Sequence, residues 1–118
     1  MRVYAFDVDE TLEVSNGPVK LSDIMDLRRQ GHIIGLCGNF AMVTMNVVNW
    51  HYLFSFIGPG PLSKPEFLRN IREMVPADQY ILVGNDHLRS ARPYMSPDDA
   101  RLAREAGWDF ISELDFKV

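Results

Sequence analysis

Residues 2–12 read Arg-Val-Tyr-Ala-Phe-Asp-Val-Asp-Glu-Thr-Leu, an apolar stretch that leads directly into two closely spaced carboxylates. Apolar and aromatic residues over Arg2–Asp7 predict a first β-strand. Asp7 and Asp9 stand at its end, and Thr11 follows two residues later. Carboxylates this close repel each other and raise each other's proton affinity. A metal site or an acid–base site uses such a pair; the alternative is a strand end followed by solvated acids that cap a turn.

Composition places the chain among ordinary soluble globular proteins, with 47% apolar and 24% charged residues. Its 118 residues predict a single domain over 1–118. Sixteen acidic and twelve basic residues give a net charge of −4, which argues against non-specific binding to a nucleic-acid backbone. No apolar stretch approaches the roughly 20 residues that span a membrane. The absence of a basic-then-apolar leader and the single cysteine, Cys37, lead us to expect a cytoplasmic protein.

Strand-like and helix-like segments alternate along the chain. After the first strand, Asn16-Gly17 within Glu13–Pro18 predicts a small hairpin or flap. The further predictions are a helix over Asp23–Gln30 capped by Ser22 and ended by Gly31, a strand over Ile33–Cys37, a helix over Phe40–Trp50, a strand over Tyr52–Ile57, a helix opening at Ser63–Glu66, a strand over Tyr80–Gly84, a helix from Ser96 to Gly107 and a strand over Asp109–Ser112. This alternation predicts an α/β fold with a Rossmann-like, doubly wound, mainly parallel five-stranded sheet and helices on both faces.

Polar residues stand at the predicted strand ends, where ligands bind in sheets of this kind. In chain order they are Asp7 and Asp9, then Cys37-Gly38-Asn39, then Lys64 at the start of a helix, and finally Asn85-Asp86. A lysine and helix N-termini favour an anion, whereas clustered carboxylates favour a hard cation such as Mg²⁺. The simplest site that uses both is one for a phosphate and a metal ion.

This pattern resembles the haloacid dehalogenase-like hydrolases, most of which are Mg²⁺-dependent phosphatases. The first family motif, a hydrophobic strand followed by D-x-D-x-T, is present as Phe6-Asp7-Val8-Asp9-Glu10-Thr11-Leu12. The lysine of the third motif matches Lys64, and the acidic fourth motif matches Val83-Gly84-Asn85-Asp86. The resemblance covers residues 2 to about 112. It implies a member without a cap domain, because each gap between motifs is filled by one helix and its flanks.

Two positions depart from the family pattern. Cys37 stands where the family has Thr or Ser, whose hydroxyl holds the phosphate, and a thiol is a weaker donor. The backbone N–H groups of Gly38 and Asn39 are then expected to contribute to phosphate binding. Asn85 stands where the family has the first acid of the fourth motif, and we expect it to support the site without binding the metal. Asp86 is then the expected metal ligand of this motif.

The resemblance implies a phosphomonoesterase that works through an aspartyl-phosphate. Asp7 would ligate Mg²⁺ and attack phosphorus. Asp9 would give its backbone carbonyl to the metal and act first as general acid and then as general base. Asp86 would complete the metal site, Lys64 would neutralise charge on the nucleophile and the phosphoryl group, and Thr11 would brace the loop. Without a cap, the site suits a phosphorylated macromolecular end as well as a small molecule, or a cap supplied by a partner subunit in an oligomer.

Three further residues have two interpretations each. Asp99 precedes Ala106-Gly107 at the distance where the family often has another acid, but stabilising the N-terminus of its own helix also accounts for it. The segment from Asp86 to Phe116 weakly resembles the polynucleotide 3′-phosphatase branch. In that case Arg89 and Arg92 would hold a nucleic-acid backbone; otherwise they are solvated loop arginines.

Two other protein classes share features with this chain. A response-regulator receiver domain shares the size, the acidity and the paired acids, but it needs an aspartate after the third strand, where this chain has Ile57-Gly58-Pro59. We reject it on that ground. A binding or regulatory module with an eroded site would keep the fold and lose the chemistry, as Cys37 and Asn85 suggest.

Overall fold

Five parallel strands form a single sheet in the computed structural model, which describes residues 1–89 and 97–118. The strands are β1 (Arg2–Phe6), β2 (Ile33–Cys37), β3 (Phe56–Gly58), β4 (Gln79–Gly84) and β5 (Asp109–Ser112). Their order is β3-β2-β1-β4-β5. The chain therefore runs outward from β1 on one side, returns, and runs outward on the other, which confirms the doubly wound topology.

Helices cover both faces of this sheet. They are α1 (Leu21–Arg29), α2 (Ala41–Thr44), α3 (Trp50–Leu53), α4 (Lys64–Met74) and α5 (Asp99–Ala106). Successive side chains of β1 point to opposite faces: Tyr4 and Phe6 pack with the side of α1 to α3, and Val3 and Ala5 pack with α4 and α5. No helix in residues 1–89 or 97–118 combines the length and apolarity needed to cross a membrane.

The segment after β2 differs from the predicted long helix and the predicted strand over Tyr52–Ile57. Two four-residue helices, α2 and α3, replace the helix, and β3 is limited to Phe56–Gly58. The residues between the two helices are mostly asparagine and β-branched valine, which have low helix propensity. Asn46 also donates its side-chain amide to the carbonyl of Met42 at 2.7 Å, a local bond that competes with helix continuation.

The start of α1 also differs from the prediction of a cap at Ser22. The helix begins at Leu21, whose N–H donates to the carboxylate of Glu13 at 2.6 Å. Gly31 ends this helix as predicted, with a φ of 92° that an L side chain rarely adopts. The predicted turn at Asn16-Gly17 is present, with a φ of 64° at Asn16, but it follows a 3₁₀-helix over Glu13–Ser15. Leu12 and Val19 on either side form an isolated parallel bridge, so the segment is not the predicted hairpin.

The predicted start of α4 is confirmed, because Ser63 caps it and accepts the N–H of Glu66 at 3.3 Å. The helix predicted from Ser96 begins at Asp99, and Gly107 ends it as predicted with a φ of 74°. Ser96 itself lies outside the described residues. Because every strand is parallel, the carboxyl ends of β1, β2, β4 and β5 meet along one edge of the sheet, where the polar residues stand.

Candidate active site

A lysine lies between two buried carboxylates at the carboxyl edge of the sheet. The Nζ of Lys64 is 3.1 Å from the Oδ1 of Asp7 and 3.0 Å from the Oδ1 of Asp99. Asp7 is 5% exposed and Asp99 is fully buried. Asp7 follows β1, Lys64 begins α4 and Asp99 begins α5, so the fold joins three segments that are distant in sequence.

The carboxylate of Asp99 is fixed from a second side by the end of β4. Its Oδ2 accepts the N–H of Asn85 at 3.0 Å, and its own N–H donates to the carbonyl of Asn85 at 2.9 Å. A Cβ on Gly84 would lie 2.5 Å from that Oδ2, so the close approach requires glycine there. Asp99 therefore does more than stabilise its own helix: it holds Lys64 in the site.

The charges of this cluster are strongly coupled. Burial and the charge of Asp7 raise the pKa of Asp99 to about 6, although Lys64 and the N–H of Asn85 oppose the rise. Burial alone would lower the pKa of Lys64, but the carboxylates of Asp99 and Asp7 outweigh it and raise that pKa. Lys64 is therefore a permanent cation, and with both acids ionised these three groups carry a net negative charge.

Thr11 and Glu113 stand on the other side of Asp7. The Oγ1 of Thr11 is buried, 3.4 Å from the Oδ2 of Asp7 and 3.5 Å from the Oε2 of Glu113, both at the long end of hydrogen-bonding distance. Glu113 is 6% exposed and follows β5, with its N–H donating to the carbonyl of Gly84 at 2.9 Å. Sequence reasoning missed Glu113, although its place directly after a predicted strand was a usable signal.

A cavity of about 300 Å³ opens beside this cluster. Its walls are formed by Asp7, Asp9, Gly38, Asn39, Pro59, Lys64 and Pro97. The side-chain amide of Asn39 donates to the Oδ1 of Asp9 at 3.2 Å, so residues after β2 reach the loop after β1. A larger cavity, of about 630 Å³, lies at the amino ends of β1 and β4, away from the carboxylate cluster.

The expected phosphate donors are only partly available. The N–H of Gly38 already donates to the carbonyl of Gly58 at 2.9 Å, which corrects its expected role as a phosphate donor. Glycine at this position still matters, because a Cβ would lie 2.6 Å from the Oδ1 of Asp7. Among the residues that the structure describes, the N–H of Asn39 donates to no acceptor and remains available.

The thiol of Cys37 lies beneath the cavity and does not line it. It is fully buried and packs in the apolar layer that includes Leu68 of α4. Burial raises the pKa of this thiol to about 12, even though Lys64 opposes the rise. The side chain therefore acts as part of the core and does not face a bound phosphate.

We expect Cys37 to resist alkylation in the folded protein. Thiolate is the reactive form, so a buried thiol of raised pKa should react with iodoacetamide at pH 8 at least about 100-fold more slowly than free cysteine. The same protein in guanidinium chloride, where the thiol is exposed, is the control. Mass-spectrometric labelling over time measures both rates, and rapid labelling of the native protein would contradict this placement.

Of the three residues expected to hold the metal ion, Asp7 and Asp9 line the cavity and Asp86 does not. The Oδ1 of Asp86 accepts the N–H of Leu88 at 3.0 Å. In the described part of the chain, no group of three or more His, Cys, Asp or Glu residues is placed to hold a metal ion. However, Mg²⁺ commonly uses one or two carboxylates together with water and substrate phosphate.

The side-chain oxygen of Asn85 is a candidate ligand for a cation. Its side-chain amide donates to the carbonyl of Pro97 at 2.9 Å, and its buried Oδ1 has no hydrogen-bond partner among the described residues. An unsatisfied buried oxygen beside an anionic cluster suits a hard cation. The carboxylate of Asp7, the backbone carbonyl of Asp9 and the Oδ1 of Asn85 are oxygen donors of the kind that Mg²⁺ binds.

Of the two arginines expected to hold a nucleic-acid backbone if the substrate is a polynucleotide, the structure describes Arg89. The guanidinium of Arg89 is exposed and forms a bidentate ion pair with Asp115, in which the contact from Nη2 to Oδ1 is 3.0 Å. Arg92 lies outside the described residues. Arg89 is thus occupied at the surface by a carboxylate.

Comparison of the chain with protein-family models, with curated proteins and with solved structures found no match in any of the three.

Proposed function

We propose that this chain is a Mg²⁺-dependent phosphomonoesterase of the haloacid dehalogenase-like type, without a cap domain. The observation that carries the proposal is the buried Asp7 carboxylate, 3.1 Å from Lys64 and beside a cavity that Asp9 also lines. A carboxylate, an ammonium group and a second carboxylate around one small cavity match a nucleophile, a charge-neutralising group and an acid–base group.

In the proposed reaction, Asp7 is the nucleophile and Asp9 is the general acid and then the general base. An oxygen of Asp7 forms a bond to phosphorus as the ester P–O bond breaks, and Asp9 gives a proton to the departing oxygen. Asp9, now a carboxylate, takes a proton from water, whose oxygen attacks phosphorus and releases inorganic phosphate and free Asp7. When bound, Mg²⁺ supplies charge neutralisation and Lewis acidity. The carboxylate of Asp7, the backbone carbonyl of Asp9 and the Oδ1 of Asn85 would hold it.

Lys64 and Asp99 prepare the nucleophile for a dianionic substrate. The ammonium of Lys64 offsets the charge of Asp7 and faces the cavity where a phosphoryl group would lie. Asp99 holds this ammonium from behind with its Oδ1 at 3.0 Å and is itself fixed by the N–H of Asn85. The proposed roles thus form a chain of contacts from β4 to Asp7.

The proposed substrate reaches the site from outside. A cavity of about 300 Å³ is at the small end for ligand sites, so it accommodates a phosphoryl group and little of the leaving group. This supports substrates with open access, such as phosphorylated small molecules or macromolecular ends. The net charge of −4 and the pairing of Arg89 with Asp115 give little support to a polynucleotide substrate in particular.

A second candidate is a phosphate-binding or regulatory module without turnover. The burial of Cys37 and the engagement of the Gly38 N–H favour it, because both weaken the expected phosphate cradle. Turnover separates the two candidates.

We expect hydrolysis of 4-nitrophenyl phosphate to depend on Mg²⁺ and to fall at least about 100-fold after EDTA treatment, because the cluster is anionic and its substrate is too. Readdition of Mg²⁺ should restore the rate, whereas Ca²⁺, which tolerates looser geometry, should restore it poorly. A panel of phosphorylated metabolites and 3′-phosphorylated oligonucleotides then ranks substrates. Phosphate binding without turnover would support the regulatory module, and an EDTA-resistant rate would contradict the metal requirement.

A further inference from the structure

Asn39 contacts the proposed acid–base residue through its side chain. Its Nδ2 is 3.2 Å from the Oδ1 of Asp9, and both residues line the same cavity. We propose that Asn39 is a positioning residue, which holds the Asp9 carboxyl group in place for proton transfer to the leaving oxygen. This inference rests on the proposed phosphomonoesterase function.

The backbone around Asn39 is well fixed, so its amide is presented from a defined point. The preceding N–H, of Gly38, donates to the carbonyl of Gly58 at 2.9 Å. Phe40 donates its N–H to the carbonyl of Gly38 at 2.8 Å, and Met42 donates to that of Asn39 at 3.2 Å. The end of β2 and the turn into α2 therefore set the position of the Asn39 side chain.

Asp9 needs such a contact more than the other acids of the site do. Its backbone lies in a tight turn in which Thr11 and Leu12 each donate an N–H to the carbonyl of Val8 at 3.1 Å. Its side chain, however, is exposed, and the amide of Asn39 is its one hydrogen-bond partner in residues 1–89 and 97–118. An exposed carboxyl group otherwise samples several rotamers, and a small misplacement of a reacting group slows a reaction strongly.

The geometry also divides the two oxygens of Asp9 between two tasks. Oδ1 accepts a hydrogen bond from the side-chain amide of Asn39, which leaves Oδ2 to carry the proton that moves to the leaving oxygen. As the ester P–O bond breaks, that proton passes to the departing oxygen and Asp9 is left as a carboxylate. Oδ1 keeps its bond to Asn39 throughout, so the same contact serves the later removal of a proton from water.

The test compares leaving groups, because only a poor leaving group needs the proton. Asn39→Ala should lower kcat for an alkyl phosphate by about 10-fold or more, out of the roughly 10²–10⁴-fold that general acid catalysis supplies. With 4-nitrophenyl phosphate, whose leaving group departs readily as an anion, the loss should stay under about 3-fold. Asn39→Gln, which keeps an amide donor, should recover part of the alkyl phosphate rate.

Controls separate this role from a structural one. Asn49→Ala removes another exposed asparagine of the same segment, away from the cavity, and should leave both rates unchanged. In an Asp9→Asn background, Asn39→Ala should have little further effect on kcat, because the group that it positions is gone. Equal losses on both substrates, or full additivity with Asp9→Asn, would overturn the role of Asn39. A wild-type protein without Mg²⁺-dependent turnover would instead overturn the proposed function, and this role with it.

Discussion

Asp7→Asn should abolish phosphatase turnover, with a loss of at least about 10³-fold in kcat at saturating Mg²⁺, since the variant lacks the attacking carboxylate oxygen. The substitution is nearly isosteric, so the cavity keeps its shape. Steady-state hydrolysis of 4-nitrophenyl phosphate measures the loss, and acid-quenched mass spectrometry should find a phosphorylated peptide that contains Asp7 only in the wild type.

The fold should tolerate this substitution, which makes the loss of turnover interpretable. Lys64 keeps its ion pair with Asp99 at 3.0 Å, and although burial, the larger cause of the raised pKa of Asp99, remains, the repulsion by Asp7 that adds to it is removed. We therefore expect an unfolding free energy equal to or above that of the wild type. Asp109→Asn, at an exposed position on β5, is the matched control for carboxyl loss and should keep full activity. Residual turnover in Asp7→Asn near the wild-type rate would contradict a nucleophilic role.

The strands and caps that follow local rules were predictable from sequence. β2 occurs over the predicted residues because it is a short apolar run bounded by Gly31 and Gly38, and β5 occurs as predicted shortly after Gly107, which ends the preceding helix. Ser63 and Glu66 form the predicted cap because its hydrogen bonds join residues three positions apart. Local spacing contains the information in these cases.

Other features depend on tertiary contacts that spacing does not contain. The helix predicted over Phe40–Trp50 has apolar residues on most of its circumference, a pattern that also suits two short helices packed at a sheet edge. The pairing of Asp99 with Lys64 requires α5 to approach β4 closely over Gly84. Cys37 faces the α4 layer, and not the cavity, because of its register at the end of β2.

The candidate site shows the same division. Ligands bind at the carboxyl ends of parallel strands, and this rule predicted that Asp7, Asp9 and Lys64 lie at one edge of the sheet. In the structure these three residues line one cavity. The rule does not predict which acid, besides Asp7, forms an ion pair with Lys64. Asp99 forms this ion pair, whereas Asp86 accepts the backbone N–H of Leu88. That choice is set by how far α5 reaches over the sheet.

Lys64→Met should be the most destabilising single change in the site and should also stop turnover. It leaves the buried carboxylates of Asp7 and Asp99 without the ammonium that lies about 3 Å from each, and removing one partner of a buried ion pair costs about 3–5 kcal/mol. The methylene stem of Met keeps most of the packing, so the cost reflects charge. Urea denaturation measures it, and Lys117→Met, at an exposed position, should change stability by less than about 0.5 kcal/mol.

The loss of unfolding free energy caused by Lys64→Met should increase with pH. In the wild type the folded pKa of Asp99, about 6, lies above its ordinary value of 3.8, so the folded state binds more protons than the unfolded state between those values. Stability from this group is therefore present near pH 4 and is lost as pH rises towards 6. Without Lys64 the group loses the cation that opposes this shift, so its folded pKa rises further and the loss continues above pH 6. The variant should accordingly lie closest to the wild type near pH 4 to 5 and furthest from it at pH 8; an equal deficit at pH 5 and pH 8 would show that lost packing, and not unpaired charge, causes the destabilisation.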